Sequence, residues 1–305
     1  MASVIHIHNG DVVAQLAKRA DIPGDHVAFR ESLVTGPVTP EENWIETRAN
    51  ALAGHFGEDL LRVRTSLMEQ EQLLDSAPSR GEVVLWFEHD LFCLVHLLYI
   101  LNRLGSAKLS LVWCPTPLGM MEERDLFLRF ESRAAVTPMM LTAARNAWSA
   151  YTADDPHGIN PLLARESGDF PFLREGLSLH ASRFPSMKNG LGVIEERILT
   201  VLAGGALEFL ALFPQVDTDP ARFGFGDAQV MSTLRDLASR AVPLITMTGS
   251  APKTVFAITP AGENVLSGEI DECKINDPDT WLGGVHLTKE NLWRWNGASL
   301  SLSPV

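Results

Sequence analysis

Residues 82–104 read Glu82-Val-Val-Leu-Trp-Phe-Glu-His-Asp-Leu-Phe-Cys-Leu-Val-His-Leu-Leu-Tyr-Ile-Leu-Asn-Arg-Leu104. Glu82 to Phe87 is a run of branched and aromatic residues, which predicts a strand. Glu88-His89-Asp90 breaks the run with three ionisable groups. Leu91 to Leu104 is apolar on nearly every side of a helix, and such a helix is buried. Lys108 to Cys114 supplies the next strand, closed by Pro115-Thr-Pro117. Upstream, Val4 to His8 is a short strand; it is followed by Asn9-Gly10-Asp11 and a helical pattern at Val12, Val13, Leu16, Ala17 and Ala20. His26 to Glu31 reads as a second strand, and Pro40 to Ser76 as helix. Strands alternating with helices predict an α/β domain over residues 1–117, with a mostly parallel sheet flanked by helices.

Downstream the pattern changes. Between Leu118 and Lys188 there is no strand signal. Met120 to Glu131 and Pro138 to Tyr151 are helical, the second opened by a Thr137 cap and a proline at the first helical position. A turn-rich patch spans Asp154 to Pro161, and Pro171 to Phe184 is a short helix. Residues 118–188 therefore read as a helical connector. After Asn189-Gly190, Leu191 to Leu202 is an amphipathic helix ended by Gly204-Gly205. Leu207 to Phe213 and Asp227 to Ser239 are two more helices. Two β-type runs follow, Leu244 to Thr248 and Thr254 to Ile258, joined by the turn Gly249-Ser-Ala-Pro252, and then a short helix, Pro260 to Leu266. Three helices and a two-stranded wing is the order of a winged helix-turn-helix. Trp281 to Trp295 holds three tryptophans and reads as a small hairpin. Residues 189–305 are thus expected to form a winged-helix-like α+β domain with a Trp-rich tail.

The 305 residues suffice for about two domains of roughly 150 residues. At 46% hydrophobic and 21% charged, the chain can build a sizeable core. Its net charge of −13 argues against a protein that coats nucleic acid or an anionic membrane, since both need a positive face. The winged-helix-like stretch shares this balance: from Leu191 to Ile270 there are five basic residues against nine acidic ones. Its third helix offers only Arg235 and Arg240 against Asp227 and Asp236, which favours a structural or protein-contact role over nucleic-acid binding. Cys93, Cys114 and Cys273 form no CxxC pair, so neither a zinc knuckle nor a redox motif is supported, and a reducing cytoplasm is expected. The longest apolar stretch, Leu91 to Leu101, is well short of the ~20 residues needed to span a bilayer. The amino-terminal residues lack the basic region of a signal peptide. A soluble cytoplasmic protein is expected, with no membrane partner.

In a parallel α/β sheet, ligands bind outside the carboxyl ends of the strands. Here those ends carry His8-Asn9-Gly10-Asp11, Arg30-Glu31-Ser32, Glu88-His89-Asp90 and Cys114-Pro115. Gly10 allows a sharp turn into a helix whose first N–H groups can meet an anion. Asp11 would oppose an anion there, and its default role is the helix N-cap. Neither the spaced glycines of a dinucleotide loop nor the lysine of a P-loop is present. Asp90 is also an N-cap by default, but capping does not explain Glu88 and His89. These two are the candidate catalytic residues, a carboxylate and an imidazole for acid–base work. Asn9, Gly10, Asp11, Arg30, Glu31 and Asp90 are the candidate ligand-binding residues. Arg30 and Glu31 form an ion pair across the crevice, or Arg30 binds a substrate carboxylate or phosphate. His6 and His8 share one face of the first strand, a spacing that suits metal ligands but equally suits imidazoles bonded to carbonyls, and no metal is assigned. Cys93 and Cys114 read as buried thiols packing as small hydrophobes, and His96 as a satisfied core histidine. No G-x-S-x-G elbow is present.

Ile5-His-Ile-His-Asn-Gly-Asp11, the Arg30-Glu31 pair and Leu85-Trp-Phe-Glu-His-Asp-Leu-Phe92 resemble the bacterial DUF1835 family, a domain of unknown function. Trp281-Leu-Gly-Gly-Val-His-Leu287 with Trp293-Arg-Trp295 looks like the carboxyl-terminal signature of its longer members. Leu94 departs from the pattern, which leads one to expect glutamine there, and this puts a polar contact in doubt. The resemblance implies no activity and no cofactor, but it points to the same strand ends. Three functions stay open: a small-molecule site, phosphate- or nucleotide-bearing by fold analogy and enzymatic through Glu88 and His89; a ligand-sensing transcriptional regulator whose winged helix contacts DNA; and an interaction scaffold, in which the winged helix and Trp-rich tail bury a partner or a second copy.

Overall fold

The computed structural model describes residues 4–40, 42–105, 107–165, 168, 170–217, 223–250 and 253–303. β1 (Val4–His8) leads through Gly10 into α1 (Asp11–Arg19), and β2 (Asp25–Ala28) follows. Next come α2 (Trp44–Phe56), α3 (Leu60–Ser76), β3 (Glu82–Glu88), α4 (Leu91–Leu104) and β4 (Leu109–Cys114). After them lie α5 (Glu123–Glu131), β5 (Ala134–Ala135) and α6 (Pro138–Thr152).

The sheet order is β2-β1-β3-β4-β5; the first four strands are parallel, and β5 runs antiparallel to β4. The chain thus places β2 on one side of β1 and β3 on the other, so the winding reverses between β1 and β3. Val84 and Trp86 of β3 face a core shared with Val13, Leu16 and Ala17 of α1 and Leu126 and Phe130 of α5. Val83, Leu85 and Phe87, which alternation sends to the opposite face, are also fully buried. Both faces are covered, as a parallel sheet requires. α4 is buried along nearly its whole length and packs against α3 and α6. Leu94 is fully buried against Gly176, so an apolar side chain fills the position where glutamine was expected.

The elements differ from the sequence expectation in places where local pattern is weak. The second strand ends at Ala28 rather than Glu31, because Glu31 turns inward to a buried arginine. Pro40 to Ser76 is two helices, the second opened by Asp59, whose carboxylate accepts the Arg62 N–H. Residues 118–188 do contain a strand, the two-residue β5, which is too short to show periodicity. The Thr137 cap is present, its hydroxyl accepting the Met140 N–H.

The chain forms two compact units: residues 1–34, 40–152 and 166–176, and residues 35–39, 153–165 and 177–305. The stretch 118–188 is divided between them. It contributes α7 (Asn160–Leu163) and α8 (Leu173–Ala181). Beyond it lie α9 (Val193–Leu202), β6 (Leu207–Glu208), α10 (Phe209–Leu212), α11 (Asp227–Ser239), β7 (Ile245–Thr248), β8 (Val255–Ile258), α12 (Pro260–Ser267) and α13 (Glu272–Ile275). β6, β8 and β7 make an antiparallel sheet in that order, so the segment expected to be helix from Leu207 begins as a strand. Of the turn between β7 and β8, Ala251 and Pro252 lie outside the described residues, as do Asp219 and Arg222. The tail is two hairpins rather than one: β9 (Thr280–Leu282) with β10 (Val285–Leu287), and β11 (Trp293–Trp295) with β12 (Leu300–Leu302). Arg294 of β11 is buried, donating to the Ser186 carbonyl at 3.0 Å and pairing with Asp271 at 2.8 Å. Among the described residues no helix is long and apolar enough to cross a membrane.

Candidate functional site

The reversal between β1 and β3 brings Asn9-Gly10-Asp11 and Glu88-His89-Asp90 to neighbouring strand ends, where such sheets hold ligands. Gly10 sits at φ 105°, a conformation that side chains rarely adopt, and a Cβ built there meets nothing within 4 Å. Gly10, not Asp11, is the N-cap of α1, and no side chain caps that terminus. Asp11 is the first helical residue and pairs instead with Arg30. Arg30 donates from Nε to Oδ2 at 2.8 Å and from Nη2 to Oδ1 at 2.5 Å. The two side chains are 50% and 57% exposed, and the guanidinium holds the Asp11 carboxyl below its usual range. Gln70 of α3 fixes the backbone of Arg30, accepting its N–H and donating to its carbonyl. The peptide of Arg30 is therefore anchored while its fork reaches solvent.

Glu31 does not pair with Arg30. Its carboxylate accepts from Arg48 of α2 at 2.7 Å and from the Ser32 N–H at 2.9 Å, and Arg48 also donates to the Ser32 carbonyl. The side chains of Arg48 and Glu31 are 0% and 3% exposed. This buried ion pair holds residues 29–34 against α2. Sequence reasoning missed Arg48, although it follows Trp44 and precedes Leu52 by four residues each, on the apolar stripe of its helix. An arginine there signals a buried partner.

Asn9 joins β1 to α4. Its amide donates to Cys93 Sγ at 2.9 Å, and its carbonyl accepts from His96 Nδ1 at 2.7 Å. His96 Nε2 then accepts the Leu33 N–H, so the ring is a neutral, satisfied core histidine; burial pushes it down to about 3. Asp90 caps α4 through the Cys93 N–H at 2.6 Å. Burial and the nearby carboxylates raise the Cys93 thiol well above its ordinary range. Cys114 is buried as well.

Glu88 and His89 face the β4 side. The Glu88 carboxylate accepts the Leu118 N–H at 2.8 Å, fixing the turn after β4, and its carbonyl accepts from the Trp113 indole. The His89 ring stacks on Phe172 at 5.3 Å and meets Trp113 edge-on at 5.0 Å. Phe172 adopts φ 64°, a strained conformation for a bulky residue, retained where its ring covers the imidazole. His6 and His8 lie on one face of β1, as alternation requires, with their rings against His26 and Trp86 rather than at the strand end. Among the described residues no group of three or more His, Cys, Asp and Glu is placed to hold a metal ion. Compared with known protein families and with curated proteins, the chain gives no match.

Proposed function

We propose that the β1/β3 strand ends bind a small phosphate-bearing molecule. The observation that carries this reading is the uncapped, glycine-led start of α1 at the point where the winding of the sheet reverses. Free N–H groups in the first helical turn and the helix dipole favour an anion there, and the open space before Gly10 admits one. Arg30, anchored by Gln70 and presenting a planar fork, suits a phosphate. Asp11 holds that fork in place when no ligand is bound and yields it to a stronger bidentate anion. His89, between Phe172 and Trp113, is the group we assign to proton transfer. Glu88 positions the loop after β4.

The test is thermal shift against a panel of phosphate-bearing metabolites, with hits measured by calorimetry. A ligand at 100 times its Kd stabilises the folded state by about 2.7 kcal/mol. We expect such a shift in the wild type, its loss in Arg30→Gln, and tighter binding in Asp11→Asn. Shifts that persist in Arg30→Gln, or a panel with no hit, would sink the reading.

A second reading concerns the other unit. The order helix, short strand, helix, helix, hairpin, with the short strand on the hairpin, supports a winged-helix-like module. Arg240, the residue that follows its third helix, α11, is spent on Glu195, Asp236 and Glu272. We therefore infer a protein-contact role for this module rather than phosphate-backbone binding.

A further inference from the structure

Three imidazoles are packed together inside the first unit. His6 and His26 are register partners across β1 and β2, with ring centroids 4.3 Å apart, and His8 lies 5.2 Å from His26 and 6.1 Å from His6. Trp86 and Phe130 close the stack. His6 and His8 are fully buried.

The hydrogen bonds define one proton arrangement. His26 Nε2–H donates to the Ile22 carbonyl at 2.9 Å, so its Nδ1 is an acceptor and takes the His8 Nε2–H at 2.9 Å. His8 Nδ1 is then a bare lone pair, buried with no partner. The Trp86 indole N–H donates to His6 Nδ1 at 3.0 Å, so His6 Nε2–H donates to the Pro23 carbonyl at 3.1 Å. Gly24, at φ 135°, lets the loop close this tightly, since a Cβ there would lie 2.8 Å from His6 Nε2. This arrangement accommodates the three rings only when all are neutral. A proton on His6 Nδ1 would face the Trp86 N–H; one on His26 Nδ1 would face the His8 N–H; one on His8 Nδ1 would be a buried, unpaired charge.

The surrounding charges do not outweigh burial. Lys18 of α1 and Arg133 after α5 oppose a positive charge on the stack. The two carboxylates that favour one are already bonded, Asp25 to Arg80 and Glu82 to Arg133 and Ser110. Burial holds His6 down to about 4 and lowers His8 and His26 as well.

We propose that the His6–His8–His26 stack is an acid-released latch that fastens the edge strand β2 onto the sheet, so that proton uptake lets β2 and the segment after it separate. The latch does not depend on whether the strand ends bind a ligand, because its readout is backbone protection. The sign follows from linkage. Rings with depressed folded pKa values stabilise the closed state above the free-histidine value of ~6.5, and that stabilisation drains away as pH falls. Each proton taken up on opening makes opening about tenfold more favourable per pH unit.

The experiment is amide hydrogen exchange on the full chain from pH 7 to pH 4.5, corrected for intrinsic exchange. We expect opening of β1 and β2 to grow more than tenfold per pH unit below pH 6, with no such growth in β7 and β8. His8→Gln, whose amide still donates to His26 but does not titrate, should lower that slope by about one proton. If that variant does not fold, the wild-type ring titrations by NMR decide. All three rings staying neutral below pH 6 until strand protection is lost supports the latch. A ring that titrates near pH 6.5 with β2 still protected, or protection independent of pH, overturns it.

Discussion

Replacing Arg48 by Met leaves the Glu31 carboxylate buried without its ion partner. At 2.7 Å, with an effective dielectric constant of about 20, the pair attracts by about 6 kcal/mol. Taking each ion out of water costs several kcal/mol, so the intact pair contributes little net stability. Loss of one partner is different. Glu31 keeps its desolvation penalty and only the Ser32 N–H to offset it, so Arg48→Met should destabilise by about 3–5 kcal/mol. That is a large part of the 5–15 kcal/mol typical of a folded domain. Urea denaturation followed by tryptophan fluorescence measures it, because Trp86 and Trp113 lie in the same unit. The double variant Glu31→Leu/Arg48→Met removes both charges and should recover most of the loss. A single-variant cost below about 1 kcal/mol, or a double variant as unstable as the two singles added together, would refute the view of Glu31 and Arg48 as a coupled buried pair.

Gly176→Ala places a methyl group inside contact distance of Leu94 Cδ2 and 3.2 Å from Phe172, so it should destabilise the first unit by about 1–3 kcal/mol, as overpacking does; an unchanged urea midpoint would show that α8 shifts freely. Burial pushes Glu272 up to about 7 despite Arg240 beside it. Because this folded value lies above the unfolded one, its stabilisation is full below pH 4.5 and drains away as pH rises through 7. Exchange protection of α11 and β7 should therefore fall between about pH 4.5 and pH 7, by on the order of 3 kcal/mol, and Glu272→Gln should flatten that profile.

The alternation of strands and helices, the burial of α4, the Asp90 cap and the shared face of His6 and His8 are local properties, and the amino-acid sequence alone determined them. Period and capping chemistry act within a few residues, so they survive without knowledge of the fold. The partners of the charged groups were not legible in this way. Arg30 and Glu31 are adjacent in sequence, yet one reaches back to Asp11 and the other inward to Arg48. Asn9 follows β1 while Cys93 and His96 lie on α4, and only the parallel pairing of β1 with β3 brings them within bonding distance. β5 and β6 have two residues each, too few for any period, and exist because β4 and β8 offer them open edges. Hydrophobic pattern says which face of an element is buried. Which side chain lies opposite is set by strand order and register, and these belong to the tertiary structure.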